Sequence, residues 1–422
     1  VRLIDGLGSA PVEGASLVIE GAVVRAAGPS DQVPVPAGAT VIEMAGKTVL
    51  PGLVNNHAHV GQVEDGRSGP EFDTRTNALQ ALGQFEAYGV TTVTSLGLNG
   101  SVFYELQPGL HAGTLAGADL FGADRGLGVP AAAPPVKADA EHLDRPATAE
   151  QAREMVRAAA ARHPSLLKIW VDDFHGSLPV KMSPEIYRAV LDEAHRLGLR
   201  VAAHVYYLDD ARALVDAGVD VLAHGVRDRP VDDAFIAALK AHRTWYIATL
   251  ALDEASFVYA ERPAWTLSPF LRQAIGPQVT AQLDDPDWRA RVLGDAKKLA
   301  EDRASLAMGL ANLRRLHDAG VAIGFGTDAG AQPLRIPGVA EHRELALMVQ
   351  AGLTPLQAIT VATRRAAELL GLDDRGTLAP GKLADFIVTD GRPDVRIDDL
   401  AQLTAVWHRG KPVRGPIAAF RR

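Results

Sequence analysis

The chain has 422 residues, of which 47% are hydrophobic and 22% are charged, a composition typical of a large globular protein. Its net charge of −8, without a long run of like charges, argues against nucleic acid as a partner. Because the chain contains no cysteine, disulfide bonds, cysteine-ligated zinc and a thiol nucleophile are excluded.

No segment of the sequence predicts contact with a membrane. The longest apolar stretches, such as "GLRVAAHV", are far shorter than the roughly 18 to 20 residues that span a bilayer. Nothing at the start resembles a signal peptide, so we expect a cytoplasmic protein. The chain opens on Val1 instead of methionine, which leaves open a leader that precedes this numbering.

Both ends of the chain are predicted to form short antiparallel strands. Residues 1–50 alternate apolar and polar positions in runs such as "SLVIEGAVVRAAG" and "ATVIEMAGKTVL", broken by glycine and proline. The tail from residue 376, with "LADFIVTD" and "LTAVWHRGKPVRG", shows the same pattern. Because domain termini commonly lie close together, we predict that residues 1–50 and 376–422 build one small β-sandwich.

Residues 51–375 alternate short apolar, β-branched runs with amphipathic helical stretches. The strand-like runs are "VLPGLVNNHAH", "VTTVTSLG", "HAGTLAGADLFGA", "LKIWVDD", "RVAAHV", "DVLAHG", "WYIATL" and "VAIGFGTDAG". About eight such runs over roughly 325 residues are typical of a (β/α)8 TIM barrel. A doubly wound sheet is the competing arrangement, but its glycine-rich phosphate turn is missing after the first strand. We therefore predict an α/β fold, a TIM barrel over residues 51–375 with the β-sandwich attached.

Residues that bind metals stand at the ends of the predicted barrel strands, where the active sites of such barrels lie. His57 and His59 fall on the same side of the first strand, since strand side chains alternate faces with a period of two. Imidazole and carboxylate groups are good ligands for divalent ions such as zinc, and no sulfur is needed. The six candidates are His57, His59, Lys168, His204, His224 and Asp328. Together they can hold two metal ions.

Lys168 is the unusual member of this set. A protonated lysine would repel the metal ions, so Lys168 must be neutral, modified, or not a ligand. A lysine that has added carbon dioxide becomes an anionic carbamate able to bridge two cations. The alternative is an ordinary lysine that pairs with Asp172 or Asp173. A strand interior is a costly place for an unpaired ammonium, which favours the carbamate.

These motifs together resemble the amidohydrolase superfamily. "HAH", Lys168, "AAHVY", "LAHG" and "GTDAG" occur in this order, framed by "GKTVLPGLVNNHAH" and "GTLAPGKLADFIVTDGRP". In detail the chain is similar to the binuclear branch that includes dipeptidases and carboxypeptidases acting on proline or arginine substrates. The resemblance implies a distorted barrel with a small β-sandwich, two zinc ions bridged by a carboxylated lysine and a hydroxide, and hydrolysis of amide-like bonds.

The same resemblance assigns a role to each ligand. The two histidines of the first strand would bind the more buried metal ion, and His204 and His224 the other, with Lys168 bridging them as its carbamate. Asp328 would bind the first ion, accept a proton from the attacking hydroxide and pass it to the leaving group. We therefore expect Asp328 and Lys168 to be the catalytic residues, and two zinc ions and CO2 to be the cofactors.

Three features depart from the family pattern. Asn55 stands where the family often has an aspartate, two residues before the first histidine. The loop "ADRGLGVPAAAP" stands where related dipeptidases often have a Gly-Gly-His turn, and "IWVDDFHG" replaces a small-residue loop after Lys168. The last two departures concern the substrate pocket. The stretch "EHRELALMVQAG" is familiar in the family, but the sequence assigns it no role.

Four residues just beyond the strand ends are candidate substrate contacts. They are Tyr206, His175, Tyr207 and Arg227. Tyr206 ranks first, because it follows His204 by two residues and so shares its face of the strand. We expect the substrate to be a small molecule and the protein to be a homo-oligomer.

The leading interpretation is a metal-dependent hydrolase of an amide or peptide-like bond in an N-acyl amino acid, a dipeptide or a related small molecule. A carbamate, lactone or ester hydrolase on the same binuclear site is the alternative. A mononuclear deaminase is less favoured, because superfamily deaminases usually carry a glutamate three residues after the strand-five histidine, where this chain has Tyr207. A non-catalytic relative is the last alternative, but such proteins typically lose ligands, and here all six are present.

Overall fold

The structure, a computed structural model, describes residues 1–413 of the chain. Its strands are, in chain order, β1 (Arg2–Leu3), β2 (Ala15–Glu20), β3 (Val23–Pro29), β4 (Thr48–Pro51), β5 (Leu53–Ala58), β6 (Val63–Glu64), β7 (Arg67–Ser68), β8 (Val90–Ser95), β9 (Asp119–Gly122), β10 (Leu167–Trp170), β11 (Val201–His204), β12 (Val221–Ala223), β13 (Trp245–Ile247), β14 (Ile323–Gly324), β15 (Phe386–Thr389), β16 (Leu403–His408) and β17 (Lys411–Pro412).

Helices separate most of these strands. They are α1 (Arg75–Ala87), α2 (Ser101–His111), α3 (Ala149–Ala160), α4 (Pro184–Arg196), α5 (Leu208–Asp216), α6 (Asp233–His242), α7 (Leu250–Glu254), α8 (Val258–Glu261), α9 (Pro269–Arg272), α10 (Pro277–Asp284), α11 (Pro286–Gly294), α12 (Ala296–Asp318), α13 (Val339–Gln350), α14 (Pro355–Thr360) and α15 (Ala366–Leu370). Short 3-10 helices cover Pro70–Phe72, Ala264–Leu267 and Ile397–Ala401, and a π-helical turn covers Val361–Arg365.

Eight parallel strands form two sheets at the centre of the molecule. One sheet has the order β5-β8-β9, and the other has the order β10-β11-β12-β13-β14. Isolated parallel bridges join Ala123 to Leu166 and Ala58 to Ala329, at the ends of the two sheets. Each of the eight predicted strand runs contains one of these strands, and nearly all of their residues are buried, as expected where helices cover a parallel sheet. The predicted α/β fold is confirmed.

Local sequence signals begin and end the covering helices. Ser183 accepts a hydrogen bond from the Ile186 N–H and Pro184 follows it, so α4 begins with a side-chain cap and a residue of fixed φ. Gly198, with a φ of 74°, follows the end of α4 and adopts the left-handed conformation common after helices. Among the helices of residues 1–413, none combines the length and apolar character needed to cross a bilayer.

A third sheet brings the two ends of the chain together in the order β1-β4-β15-β16-β17. β15 runs antiparallel to β4, and a small hydrophobic core that includes Leu3, Val24, Val49 and Phe386 packs there. β4 of the first terminal segment therefore pairs with β15 of the second. A second layer that would make this a β-sandwich stays a prediction, and residues 414–422 of the predicted second segment lie outside the described residues.

One predicted strand in the first segment is absent. The run "ATVIEMAGKTVL" forms a strand only at Thr48–Pro51, while residues 39–46 have no strand and Val41 and Ile42 are 61% and 54% exposed. The prediction was wrong here because alternation alone does not make a strand. A strand also needs a neighbour for its backbone hydrogen bonds, and only Thr48–Pro51 finds neighbours, in β1 and β15.

Candidate metal centre

Backbone hydrogen bonds join β5 to the loop that follows β14 at the site. The Asp328 N–H donates to the His57 carbonyl at 2.8 Å, and the His59 N–H donates to the Ala329 carbonyl at 2.7 Å. A Cβ on Gly326 would lie 2.6 Å from the His57 Cβ, so glycine is needed for this close approach. Asp328 has a φ of 58°, a left-handed conformation that aspartate adopts more readily than most residues. The backbone therefore holds His57, His59 and Asp328 in one fixed arrangement.

One carboxylate oxygen of Asp328 faces two histidines. Asp328 Oδ1 lies 3.2 Å from His57 Nε2 and 3.1 Å from His59 Nε2, while Oδ2 pairs with Arg335. His224 joins this group, since one ligand atom each of His57, His224 and Asp328 lie within 4.8 Å of one another. These three residues are buried and could together hold a metal ion.

The other half of the site is built at the ends of β10 and β11. Their parallel register pairs Trp170 with His204. His204 Nε2 lies 3.2 Å from Asp172 Oδ1, just beyond β10. Lys168 Nζ donates to the Ala223 carbonyl at 3.1 Å, and within residues 1–413 Lys168 forms no ion pair with Asp172 or its neighbour.

His224 connects the two halves. Its ring centroid lies 4.5 Å from that of His57 and 4.8 Å from that of His204. The family resemblance pairs His224 with His204, whereas the structure places His224 between His204 and His57. All six side chains that the sequence singled out therefore converge on one buried site.

Burial and nearby charge keep the imidazoles of His57 and His224 neutral. Burial, with a smaller contribution from Lys168, lowers the pKa of His57 to about 3. Burial likewise holds the pKa of His224 well below its usual value. Burial also lowers the pKa of Lys168 to about 7, although Asp328 and Asp172 act in the opposite direction. Metal ions bind neutral imidazole and neutral or modified amines, so these shifts favour ligation.

Asp328 stays ionised in this environment. Burial raises the pKa of its carboxyl, but Arg335 and hydrogen bonds from His57 and His59 outweigh burial and hold the pKa well below its usual range. The sequence reading missed Arg335, because no local pattern connects it to a residue seven positions earlier. It also missed Asp172 as a site residue, although Asp172 follows Lys168 and Trp170 at the period of two that places side chains on one face.

The site contains buried polar atoms without a hydrogen-bond partner among the described residues. They are Nδ1 of His57, Nδ1 of His59, Nδ1 of His224 and Oδ2 of Asp172. Buried polar atoms are rarely left unpaired in proteins. Imidazole nitrogens and carboxylate oxygens are also ligands that zinc and similar divalent ions accept without sulfur. Because the Nε2 atoms of His57, His59 and His204 face carboxylate oxygens and Asp172 Oδ2 is unpaired, the side chains present fit a divalent metal ion.

A cavity of about 920 Å³ opens onto these side chains. This volume falls within the usual range of small-molecule sites. Of the six candidate ligands, five line this cavity, namely His57, His59, His204, His224 and Asp328. Apolar walls come from residues such as Trp170, Phe174 and Leu252, and cationic groups from Arg227 and Lys298. The cavity thus presents an apolar wall and charged side chains beside the candidate metal ligands.

The predicted substrate contacts fall into two groups. His175 and Arg227 line the cavity. Tyr206 lies against both of them, with its ring centroid 3.8 Å from that of His175 and the Arg227 guanidinium 5.2 Å from its ring. The Tyr207 hydroxyl donates to Asp173 at 2.9 Å, and neither Tyr206 nor Tyr207 is among the described residues that line the cavity.

Asn55 has its partner in the stretch "EHRELALMVQAG". Asn55 Nδ2 donates to Glu341 Oε1 at 2.6 Å and to Thr327 Oγ1 at 3.0 Å, and Asn55 Oδ1 accepts from the His57 N–H at 2.7 Å. Glu341 also accepts from the Gly338 N–H at the start of α13, and burial raises its pKa to about 7. Asn55 therefore ties the strand that carries His57 to α13 through a buried carboxyl.

Parallel strands whose ends present buried histidines and an aspartate able to hold a metal ion are typical of metal-dependent hydrolases. Comparison with known proteins agrees with this class. The profile of the amidohydrolase family matches residues 48–418, so the chain belongs to that family.

Individual relatives differ in the reactions that their names give. The 5-methylthioadenosine/S-adenosylhomocysteine deaminase of Bacillus cereus (strain B4264) is 27% identical over 377 residues, which cover 83% of this chain and 74% of that protein. A solved Xaa-Pro dipeptidase, with methionine bound in its active site, has a TM-score of 0.76 and 23% identity, and the match covers 98% of both chains. Phenylurea hydrolase B has a TM-score of 0.75 and 24% identity over 99% of this chain and 96% of that one.

Two conclusions follow from membership in this family. The chain is a hydrolytic enzyme that acts on C–N bonds, as the family and its deaminase and dipeptidase relatives indicate. Amidohydrolases generally use metal ions, and the buried group of His57, His224 and Asp328 is suited to bind one.

Proposed function

We propose that this enzyme is a binuclear zinc hydrolase that cleaves an amide or peptide-like bond in an N-acyl amino acid, a dipeptide or a related small molecule. The observation that carries the proposal is the convergence of four histidines and Asp328 on a cavity large enough for such a substrate, with Lys168 Nζ bound to the Ala223 carbonyl next to His224. We propose that the six candidate ligands His57, His59, Lys168, His204, His224 and Asp328 form the metal site.

When bound, divalent ions supply a Lewis acid for the scissile carbonyl and lower the pKa of water. Asp328 is the group placed to move protons. Its Oδ1 faces His57 and His59, and Arg335 keeps it ionised, so it can accept a proton from the attacking water. It then returns that proton to the departing amine, which leaves as a neutral product.

Lys168 is proposed to carry a carbamate. Its neutral amine attacks the carbon of CO2, an N–C bond forms as one C–O π bond breaks, and one proton leaves, which converts a neutral amine into an anionic carbamate. The buried environment supports this step, because it lowers the lysine pKa to about 7 and so leaves part of the amine unprotonated at neutral pH. The product would place an anionic group close to Asp328 and Asp172, where only cations can offset the repulsion.

The cavity supports a substrate with both apolar and anionic parts. Trp170 and Leu252 provide apolar surface, while the lining cations Arg227 and Lys298 are paired with the lining carboxylates of Asp253 and Asp302. Arg227 is 5% exposed, and its Nη1 pairs with Asp253 at 2.9 Å, so its guanidinium is held in place before any ligand arrives. An N-acyl amino acid presents its carboxylate to such a group and its acyl chain to the apolar wall. His175 is proposed to complete this contact, and Tyr206 to hold His175 and Arg227 in place by packing against both.

Deamination is the second candidate, since the Bacillus cereus relative is named a deaminase. The chain has Tyr207 three residues after His204, and the Tyr207 hydroxyl donates to Asp173 instead of offering a carboxylate to the site. We therefore place deamination below amide hydrolysis. Carbamate, lactone and ester hydrolysis on the same metal site rank between the two.

Metal analysis combined with a substrate panel tests the proposal. Protein reconstituted with zinc, with and without bicarbonate, is assayed against N-acyl amino acids, dipeptides, carbamates, lactones and adenosine derivatives. We expect about two zinc ions per chain, stimulation by bicarbonate and release of an amine from an amide. About one ion per chain, indifference to bicarbonate and release of ammonia from a nucleoside would favour the deaminase instead.

We also propose that the eight parallel strands close into a TIM barrel over residues 51–375. The parallel bridge between Ala58 and Ala329 and the hydrogen bond from the Asn56 N–H to the Phe325 carbonyl at 2.7 Å support contact between the first and last strands. The bridge between Ala123 and Leu166 supports contact between the two sheets. The terminal β-sandwich, residues 1–50 with 376–422, is proposed as the second domain.

A further inference from the structure

We propose that Asp172 is a metal ligand on the His204 side of the site, in addition to the six residues that the sequence pattern identifies. The inference rests on the proposed metal-dependent function. It assigns the second ion a fixed carboxylate ligand that does not depend on carbon dioxide.

The environment of Asp172 is the first support. Its side chain is fully buried, and Oδ1 lies 3.2 Å from His204 Nε2. Oδ2 has no hydrogen-bond partner among the described residues. A buried carboxylate with an unpaired oxygen is costly unless a cation or another polar group satisfies it. A metal ion held by His204 would lie against this carboxylate and satisfy it, with Oδ1 as the oxygen that faces His204 Nε2.

The spacing of the two side chains is the second support. A nitrogen and an oxygen that bind one tetrahedral zinc ion at roughly 2.1 Å lie about 3.3 Å apart. The His204–Asp172 separation of 3.2 Å agrees with this value. The separations of Asp328 from His57 and His59, 3.2 Å and 3.1 Å, agree with it as well. The site thus contains two carboxylate–histidine groups of similar geometry, one on each side of His224.

The path of the chain after β10 explains how Asp172 reaches this position. Lys168, Trp170 and Asp172 follow one another at the period of two, so all three belong to the same face. The Phe174 N–H donates to Asp172 Oδ1 at 3.0 Å, and the Phe174 ring stacks on His204 with centroids 4.7 Å apart. The loop that replaces the usual small-residue segment therefore holds both the carboxylate and the imidazole.

Asp173 provides a matched control in the neighbouring position. Its Oδ1 accepts hydrogen bonds from the Tyr207 hydroxyl and the Gly176 N–H, and its side chain is 21% exposed. It therefore belongs to the loop and not to the buried site. The substitution Asp173→Asn changes the loop charge by the same amount as Asp172→Asn does.

The experiment compares metal binding by wild type, Asp172→Asn and Asp173→Asn, each as the full chain loaded with zinc and dialysed without bicarbonate. In Asp172→Asn the amide oxygen still accepts from the Phe174 N–H, so a purely structural role predicts no change. We expect wild type and Asp173→Asn to retain both ions. We expect Asp172→Asn to bind the second ion at least about tenfold more weakly.

A second measurement uses cobalt in place of zinc and records the visible absorption spectrum, which reports the ligands directly. An altered spectrum in Asp172→Asn supports the inference, and an unchanged spectrum with unchanged affinity refutes it. If Asp172→Asn does not fold, Asp172→Leu, which is of similar size and has no ligand atom, is examined in the same way, and an unchanged cobalt spectrum there also counts against ligation. Wild-type protein that binds no metal would instead refute the proposed function itself.

Discussion

Replacing Glu344 by glutamine tests whether the buried carboxyls of α13 determine how stability depends on pH. Glu344 is 2% exposed, and its Oε2 accepts from the Ala251 N–H at 2.7 Å. Burial raises the pKa of this carboxyl from 4.5 to about 8. Glutamine retains an oxygen acceptor for the Ala251 N–H but has no proton to lose, so the substitution removes the titration and keeps the hydrogen bond.

The expected magnitude follows from proton linkage. Between the unfolded and folded pKa values the folded chain binds more protons than the unfolded chain, so the free energy of unfolding falls as pH rises. The slope for one proton is about 1.4 kcal/mol per pH unit. Through Glu344, wild type should therefore lose about 2.5 kcal/mol of stability between about pH 5 and about pH 7 relative to Glu344→Gln.

Urea unfolding of both proteins at the two pH values measures this difference. Glu154→Gln, on an exposed position of α3, is the matched control and should follow wild type at both pH values. Glu341 also titrates in wild type, but it is common to both proteins and cancels in the comparison. If the stability difference between wild type and Glu344→Gln is the same at both pH values, the carboxyl does not titrate as the structure indicates and the reasoning fails.

Two further predictions concern the metal centre and its support. Asp328→Asn should lower kcat by at least about a hundredfold in a steady-state hydrolysis assay, because the proton acceptor is lost. Asp318→Asn, on the exposed end of α12, should leave kcat unchanged, and equal rates for Asp328→Asn and wild type would argue against the proposed mechanism. Gly326→Ala should destabilise the protein by about 1 to 3 kcal/mol in urea unfolding, since the new Cβ would meet His57. Gly83→Ala, in α1 with open space around it, should instead be neutral or stabilise by up to about 1 kcal/mol, and similar losses in both variants would contradict the close approach at Gly326.

The eight central strands could be predicted because each is a short apolar, β-branched run. Nearly all residues of these strands are buried, which is the environment that such runs favour. The terminal segments were harder to predict. Val41 and Ile42 follow the same alternating pattern as a strand, yet they lie exposed in an irregular stretch. The local sequence pattern indicates whether a segment has strand propensity. Whether it forms a strand also depends on a neighbouring strand, and the packing of the whole molecule determines which neighbour is present.

The sequence alone determined which residue types stand at the strand ends, and therefore where a metal centre would form. His57 and His59 share a face because strand side chains alternate, and this holds for any fold that contains the strand. The tertiary structure decided which of these groups meet. Arg335 pairs with Asp328, and Asp172 faces His204, only because loops after different strands converge at one end of the sheets. Such contacts depend on the three-dimensional path of the loops, which the spacing of residues along the chain does not encode.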